Sequence, residues 1–136
     1  MKLIRILVIV LIISITLSGC ISEKLADVFD EDIVIERARV VVEMINSQDY
    51  SKVNAELRDD LQDQLTANKL KDAIGTKLAD AGVFIDYPSI TVLGQKSKTT
   101  GEDYATVVLV GKYEKSNLVF TITMDSDLKV VGLYVK

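Results

Sequence analysis

The sequence contains no histidine and no tryptophan, and its single cysteine is Cys20. Histidine and cysteine are the usual protein ligands of zinc, copper, haem iron and iron–sulfur clusters, so sites of these kinds lack their ligands. The same absences exclude nucleophiles that depend on a histidine base, and one cysteine cannot form a disulfide within the chain. Any chemistry would therefore depend on carboxylates, tyrosines, lysines or hydroxyls, and we expect no cofactor.

The sequence has fewer basic than acidic residues: its 136 residues include 16 lysines and arginines and 20 aspartates and glutamates. This length suits one domain, and an acidic surface without a basic patch does not suit nucleic acid. Acidic pairs such as Asp125 and Asp127 lack the spacing of a calcium-binding loop, so we interpret them as solvated turn residues and expect no metal site. Neither a GxGxxG motif nor a phosphate-binding loop occurs.

Long apolar runs are confined to the start of the chain, which reads MKLIRILVIVLIISITLSGC. Two basic residues, Lys2 and Arg5, precede eight consecutive apolar residues over 6–13. This is the layout of a secretory signal peptide. The apolar region up to Leu17 covers only 12 residues, whereas a permanent membrane span needs about 20. We therefore predict a signal peptide rather than a span.

The last four residues of this region, LSGC at positions 17–20, resemble the lipobox of prokaryotic lipoproteins. The resemblance implies cleavage between Gly19 and Cys20 and attachment of a diacylglyceryl group to the Cys20 sulfur. Two acyl chains are enough for stable membrane anchoring. We accordingly predict a signal peptide over 1–19, a lipidated cysteine with a tether over 20–32, a domain over 33–136, and a location on the extracytoplasmic face of the cell membrane. The alternative is a lone buried cysteine that packs as a small apolar residue.

Apolar residues recur at helical spacing from Ile33 and predict a first helix that ends near Ser47. A short turn of helix that carries Val53 and is capped by Asp49 follows, and a second helix is predicted over about 55–64. The third helix begins after the cap Thr66 and ends at Gly82.

After Gly82 the period of the apolar residues changes to two, which predicts four strands near 84–93, 104–113, 118–124 and 130–135. Short polar links between the last three indicate antiparallel hairpins, whereas the link 94–103 is longer. Pro88 places the first strand at an edge or at a bend. Helices followed by an antiparallel meander indicate an α+β fold, with three helices covering the apolar face of a curved sheet.

This order is similar to the cone-shaped, cystatin-like fold shared by nuclear transport factor 2 and ketosteroid isomerase. The runs VVEMINSQDYSKV, DAGVF and MDSDLKVVGLYV also resemble a family of small uncharacterised prokaryotic envelope proteins with this fold, over about 33–136. The resemblance implies a pocket between helices and sheet, and it assigns no catalytic residue.

The candidate pocket or rim residues are Tyr87, Tyr104, Tyr113 and Tyr134, with Asp86 as a carboxylate among them. Strand alternation places Tyr104 on the face of Val108 and Val110 and Tyr113 on the opposite face, so the tyrosines do not all converge. Tyrosines in such positions are commonly amphipathic core or rim residues whose hydroxyls reach water. We therefore predict no catalytic residue.

Three functions remain open. The leading hypothesis is a lipid-anchored, non-enzymatic domain that binds a small apolar ligand or a protein partner. The second is a pocket enzyme for proton transfer or dehydration, which requires a tyrosine and a carboxylate within hydrogen-bond reach in an enclosed cavity. The third is self-association as a homodimer through a semi-polar sheet face formed by Tyr113, Val119, Thr121 and Thr123.

Overall fold

The computed structural model describes residues 24–136. The predicted signal peptide, its cleavage site at Gly19 and Cys20, and the lipidation of Cys20 lie outside the described residues. Over 24–136, none of the helices has the length and apolar character that crossing a membrane requires.

Four helices precede a four-stranded sheet. The helices are α1 (Glu31–Asn46), α2 (Tyr50–Glu56), α3 (Asp59–Gln62) and α4 (Ala67–Ala81). The strands are β1 (Phe84–Lys96), β2 (Asp103–Tyr113), β3 (Asn117–Met124) and β4 (Val130–Val135). They pair antiparallel in the order β1-β2-β3-β4, so the predicted α+β class and the antiparallel meander are confirmed.

The prediction of one helix over 55–64 is wrong, and residues 24–136 contain four helices rather than the three predicted. The backbone leaves the helical region at Leu57 and Arg58, whose ψ angles are 147° and 144°. Leu57 is fully buried and forms a parallel bridge with Val130, and the backbone N–H of Arg58 donates to the Val130 carbonyl at 2.9 Å. Burial of Leu57 against the last strand thus splits the predicted helix into α2 and α3.

The ends of the longer helices follow local capping rules. The Asp30 carboxylate accepts hydrogen bonds from the first turn of α1, and the Thr66 hydroxyl accepts one from Lys69 N–H in α4. Gly82 follows α4 with φ 86°, a conformation that favours glycine. The two ends of α4 were predicted, because capping depends on residues within one turn, whereas α1 begins at Glu31, two residues before the predicted start at Ile33.

The helices cover one face of the sheet, and the space between them is filled. α1 buries Val34, Ala38, Val41, Val42 and Ile45. From the sheet, the largest fully buried side chains are Leu109, Phe120, Ile122 and Met124. These side chains form one continuous hydrophobic core between the helices and the sheet.

The open face of the sheet differs from the predicted one at Tyr113. Tyr113 is 3% exposed and lies on the helix-covered face, because it alternates in phase with the buried Leu109. The predicted self-association face is therefore wrong at this residue, although Thr121 and Thr123 do lie on the open side, where Thr121 pairs with the exposed Tyr134. Self-association through that face stays a prediction.

Pro88 lies where β1, an edge strand, loses regular pairing with β2. The register shifts between Asp86 and Ser89. The expectation of an edge position or a bend is confirmed in both respects, since proline has no N–H to donate to a neighbouring strand.

The chain is packed against the domain before α1 begins. Phe29 is only 8% exposed, and Leu25 and Ala26 contact the core. A Cβ on Gly94 would lie 2.2 Å from the Lys24 carbonyl oxygen, so the backbone of this segment lies directly on β1. The predicted tether is thus shorter than 20–32, because the chain belongs to the packed domain from Lys24 onward.

Candidate functional site

A cleft of about 470 Å³ opens at the end of the domain where α1 and α4 finish and β1 begins. It lies beside the filled core and is open to solvent on one side. Its lining residues are Asn46, Gln48, Gly75, Leu78, Ala79, Gly82, Val83, Phe84 and Tyr113. None of these side chains is charged, so the cleft combines apolar walls with a few neutral polar groups.

The polar part of the cleft is a hydrogen bond between two elements. The Tyr113 hydroxyl at the end of β2 donates to Oδ1 of Asn46 at the end of α1. Burial raises the pKa of Tyr113 to about 12, so the hydroxyl is neutral at physiological pH. Near the mouth, the Glu114 carboxylate accepts a hydrogen bond from Val83 N–H at 2.9 Å, which holds this charge outside the lining.

An aromatic cluster supports one wall of the cleft. The Phe84 ring lies 5.4 Å from the Tyr113 ring and 4.8 Å from the Tyr87 ring, measured between centroids. The guanidinium carbon of Arg39 lies 5.8 Å from the Tyr87 centroid, within the range of a cation–π contact. Two of the four predicted tyrosines, Tyr87 and Tyr113, are thus brought together, with Phe84 between them.

Tyr50 adds a polar group that sequence reasoning missed. It is 5% exposed, and its buried hydroxyl has no hydrogen-bond partner within residues 24–136. This hydroxyl lies 3.9 Å from the position that a Cβ on Gly75 would occupy. Gly75 and Gln48 form a wall shared by the cleft and a smaller recess that Tyr50 lines. No sequence pattern singles out Tyr50, because its role depends on a helix packed against it from elsewhere in the chain.

The other two predicted tyrosines lie outside the cleft. The Tyr104 hydroxyl donates to Glu102 at 2.8 Å, and Arg58 lies 3.6 Å from the same carboxylate, at the opposite end of β2 from Tyr113. The hydrogen bond to Glu102 raises the pKa of Tyr104. Tyr134 is 62% exposed on the open sheet face, and Asp86 is exposed on β1.

The pocket-enzyme hypothesis requires a tyrosine and a carboxylate together in an enclosed cavity. Among residues 24–136, the tyrosine–carboxylate hydrogen bond that forms is Tyr104–Glu102, and it lies outside the cleft, where Arg58 also contacts the Glu102 carboxylate. Within the same range, no three acidic or cysteine side chains are grouped so that they could hold a metal ion.

A second groove lies between α4 and β4. Its walls are mainly apolar, including Leu70, Ile74 and Leu133, and Lys69 and Lys77 flank it. It contains no buried polar group comparable to the Tyr113–Asn46 pair. The cleft at the end of α4 is therefore the better candidate, since specific small-molecule sites combine apolar walls with a few placed polar groups.

We expect the protein to lose stability as the pH rises from about 10 to about 12. A tyrosine in the unfolded chain ionises near pH 10, whereas burial raises the pKa of Tyr113 in the folded protein to about 12. The folded state holds this proton more tightly than the unfolded state does. The resulting stabilisation of the folded protein is complete below pH 10 and is lost as the pH rises through 12. The difference corresponds to on the order of 2 kcal/mol.

Urea unfolding at a series of pH values measures this effect. The Tyr113→Phe variant should show a shallower fall between pH 10 and pH 12. Some dependence remains, because burial also raises the pKa values of Tyr50 and Tyr87. An unchanged slope in the variant would contradict the assignment.

Comparison with known proteins gives a family and a fold. Residues 38–133 match the profile of a family described as a protein of unknown function, DUF3887. The NMR structure of a protein from Ruminococcus gnavus ATCC 29149 is similar, with a TM-score of 0.75 and 29% sequence identity over 85% of this chain and 99% of that one. Among curated proteins, no relative matches. Because the matched profile covers most of the folded domain, the chain belongs to the DUF3887 family of proteins of unknown function.

Proposed function

We propose that this protein is a non-catalytic binding domain, anchored by lipid on the extracytoplasmic face of the cell membrane, that holds a small uncharged ligand in the cleft. The observation that carries this proposal is the cleft itself, where the neutral Tyr113–Asn46 pair lies among apolar walls. Small-molecule sites commonly have this composition, with few polar groups that set the orientation of the ligand.

The anchoring part of the proposal rests on the sequence. A basic start, a short apolar run and the lipobox-like LSGC precede the domain. Mass spectrometry of the membrane fraction tests it: we expect a mature chain that begins at Cys20 and carries a diacylglyceryl group. An uncleaved chain with unmodified Cys20 would contradict it.

The fold part of the proposal is the cone-shaped type of nuclear transport factor 2 and ketosteroid isomerase. Its support is the order of helices followed by an irregularly paired four-stranded antiparallel meander, with a cleft at one end between helices and sheet. The known cone-fold enzymes place carboxylates inside their pockets, whereas the lining here has none.

The lining indicates the chemistry of the ligand. With no charged side chain in the cleft, an ionic ligand would lose hydration without gaining a counter-charge. The Tyr113 hydroxyl is already committed to Asn46, whereas the Tyr50 hydroxyl beside Gly75 has no partner in the described part of the chain. Because the Tyr50 hydroxyl is buried and does not line the cleft, it is the Asn46 side-chain amide, whose oxygen accepts from Tyr113, that would donate its N–H to a ligand. A neutral ligand with an apolar body and a carbonyl-type acceptor would therefore fill the cleft.

Three probes with the same alkyl chain test this chemistry: octanamide, octanoate and octylammonium. Octanamide is neutral and carries a carbonyl acceptor, so we expect it to shift the backbone amide NMR signals of Leu78, Val83 and Phe84, which line the cleft. The two charged probes should bind at least about tenfold more weakly, because no charged side chain lines the cleft and the Glu114 carboxylate near its mouth already accepts from Val83 N–H.

Matched variants on α4 locate the binding. Ala79→Phe fills the cleft and should abolish the octanamide shifts. Ala73→Phe lies on the same helix but faces the other groove, so it should leave them unchanged. Absence of binding by all three probes, or equal binding by the two variants, would contradict the small-ligand proposal.

A further inference from the structure

The start of the folded domain is attached to β1 by direct backbone contact. The Lys24 carbonyl oxygen lies 2.2 Å from where a Cβ on Gly94 would stand, and the Leu25 Cα lies 3.0 Å from that position. Phe29, buried to 8% exposure, holds the same segment on the core. The position of Lys24 relative to the sheet is thus set by packing.

Only four residues of chain lead from Cys20 to Lys24. A fully extended chain spans at most about 3.6 Å per residue, so these residues reach at most about 14 Å. A lipid on Cys20 therefore holds Lys24 within about 14 Å of the lipidated residue, and Gly94, which contacts Lys24, lies only slightly further away. This distance is far shorter than the domain, in which β1 alone has 13 residues and extends about 40 Å at 3.3 Å per residue.

The cleft lies at the other end of the same strand. Phe84 begins β1 and lines the cleft, whereas Gly94 lies ten residues further along, about 30 Å away at 3.3 Å per residue. β2 pairs antiparallel with β1, so the end of β2 lies beside the start of β1. Its last residue, Tyr113, therefore also lines the cleft.

From these positions we infer that the domain stands on the membrane, with the β1–β2 loop (97–102) at the lipid surface and the cleft facing away from the bilayer. This inference rests on the proposed lipidation of Cys20. The partner of the loop is the lipid headgroup layer, and ligands reach the cleft from the aqueous side.

The charges near the loop suit an anionic lipid surface. Lys24 and Lys98 are exposed, and within residues 24–136 neither has a carboxylate within 4 Å. The two acidic side chains next to the loop in sequence are paired, Asp103 with Lys96 at 3.4 Å and Glu102 with Arg58 at 3.6 Å. Free lysines are attracted to anionic headgroups, whereas the acidic remainder of the surface is repelled by them.

The absence of tryptophan from the sequence makes a single-tryptophan experiment possible. Thr99→Trp places the reporter in the β1–β2 loop, and Ser116→Trp places it in the β2–β3 hairpin at the cleft end; both positions are exposed. Each variant is expressed from the full-length sequence and purified from membranes after processing. It is then reconstituted into vesicles of phosphatidylcholine and phosphatidylglycerol. A nitroxide on the lipid headgroup quenches tryptophan close to the bilayer surface.

We expect labelled lipid to remove most of the Thr99→Trp fluorescence and to leave the Ser116→Trp fluorescence at the level seen with unlabelled lipid. Equal quenching, or stronger quenching of Ser116→Trp, in protein that carries the lipid would overturn the orientation and leave the proposed function standing. A chain without lipid on Cys20 that fails to join the vesicles would overturn both.

Discussion

Replacement of Gly94 by alanine is expected to lower the free energy of unfolding by about 2–3 kcal/mol, roughly the burial of one large apolar side chain. The new Cβ would lie 2.2 Å from the Lys24 carbonyl oxygen and 2.7 Å from its carbonyl carbon. Because these are backbone atoms, no change of side-chain rotamer relieves the clash, and the segment must leave the sheet. Phe29, now 8% exposed, would then lose its contact with the core.

Urea unfolding of the wild type and the variant measures this loss. Gly132→Ala is the matched control, since it also lies in a strand and its Cβ would meet Thr123 at 3.4 Å, an ordinary contact distance. The control should unfold close to the wild type. A Gly94→Ala protein as stable as the control would show that the segment is not held on β1.

The same substitution bears on the orientation of the domain. With the proposed lipid on Cys20, release of Lys24–Asp30 would give the domain a longer tether on which to tilt. In the Gly94→Ala background, we expect the difference in quenching between Thr99→Trp and Ser116→Trp to shrink. An unchanged difference would mean that something other than the docked segment sets the orientation.

Asp125→Ala is expected to cost about 2–3 kcal/mol of stability, because a buried acceptor is removed while its donors remain. Asp125 is 5% exposed, and one of its carboxylate oxygens accepts hydrogen bonds from the backbone N–H groups of Asp127 and Lys129, each at 3.0 Å. The other oxygen lies 3.9 Å from the Arg58 guanidinium, which links the β3–β4 turn to the helical layer.

Asp127→Ala is the control, because it removes an exposed carboxylate from the same turn. Its effect should stay within about 0.5 kcal/mol, as for most exposed substitutions. Thermal or urea unfolding distinguishes the two variants. Similar losses in both would indicate that the loss of acidic charge, rather than the two hydrogen bonds, matters in this turn.

The Asp125→Ala variant should keep its affinity for octanamide. Asp125 follows β3 at the end where β2 begins, whereas the cleft lies at the end where β2 finishes. A variant that is less stable but still binds separates the contribution of this turn to folding from the contribution of the cleft to binding.

Much of the fold could be predicted because it depends on neighbours in the chain. The start of α4 at the Thr66 cap, its end at Gly82 and the alternating burial of β3 all follow from residues a few positions apart. The break at Leu57 could not, since the apolar spacing there suits a helix. Only the contact with Val130, on the last strand, shows that Leu57 belongs to the core.

The candidate site was predictable only in its residue types. Tyrosines were expected to supply its polar groups, and Tyr113 does so, but Tyr104 and Tyr134 lie elsewhere. Alternation along a strand tells which face a side chain occupies, and it does not tell which end of the sheet a helix leaves open. Tyr50 remained hidden for this reason, because Gly75 of α4 lies beside it only in the folded chain.

By itself, the sequence determined which sites lack their usual ligands, where the long helices end and in what order helices and strands follow one another. Composition, capping and periodicity decide these properties over a few neighbouring residues. The tertiary structure alone decided that Asn46 meets Tyr113, 67 positions later, and that Lys24 lies on Gly94. Contacts between distant residues depend on how all the elements pack at once, and this packing places the cleft and the segment that begins at Lys24 at opposite ends of β1.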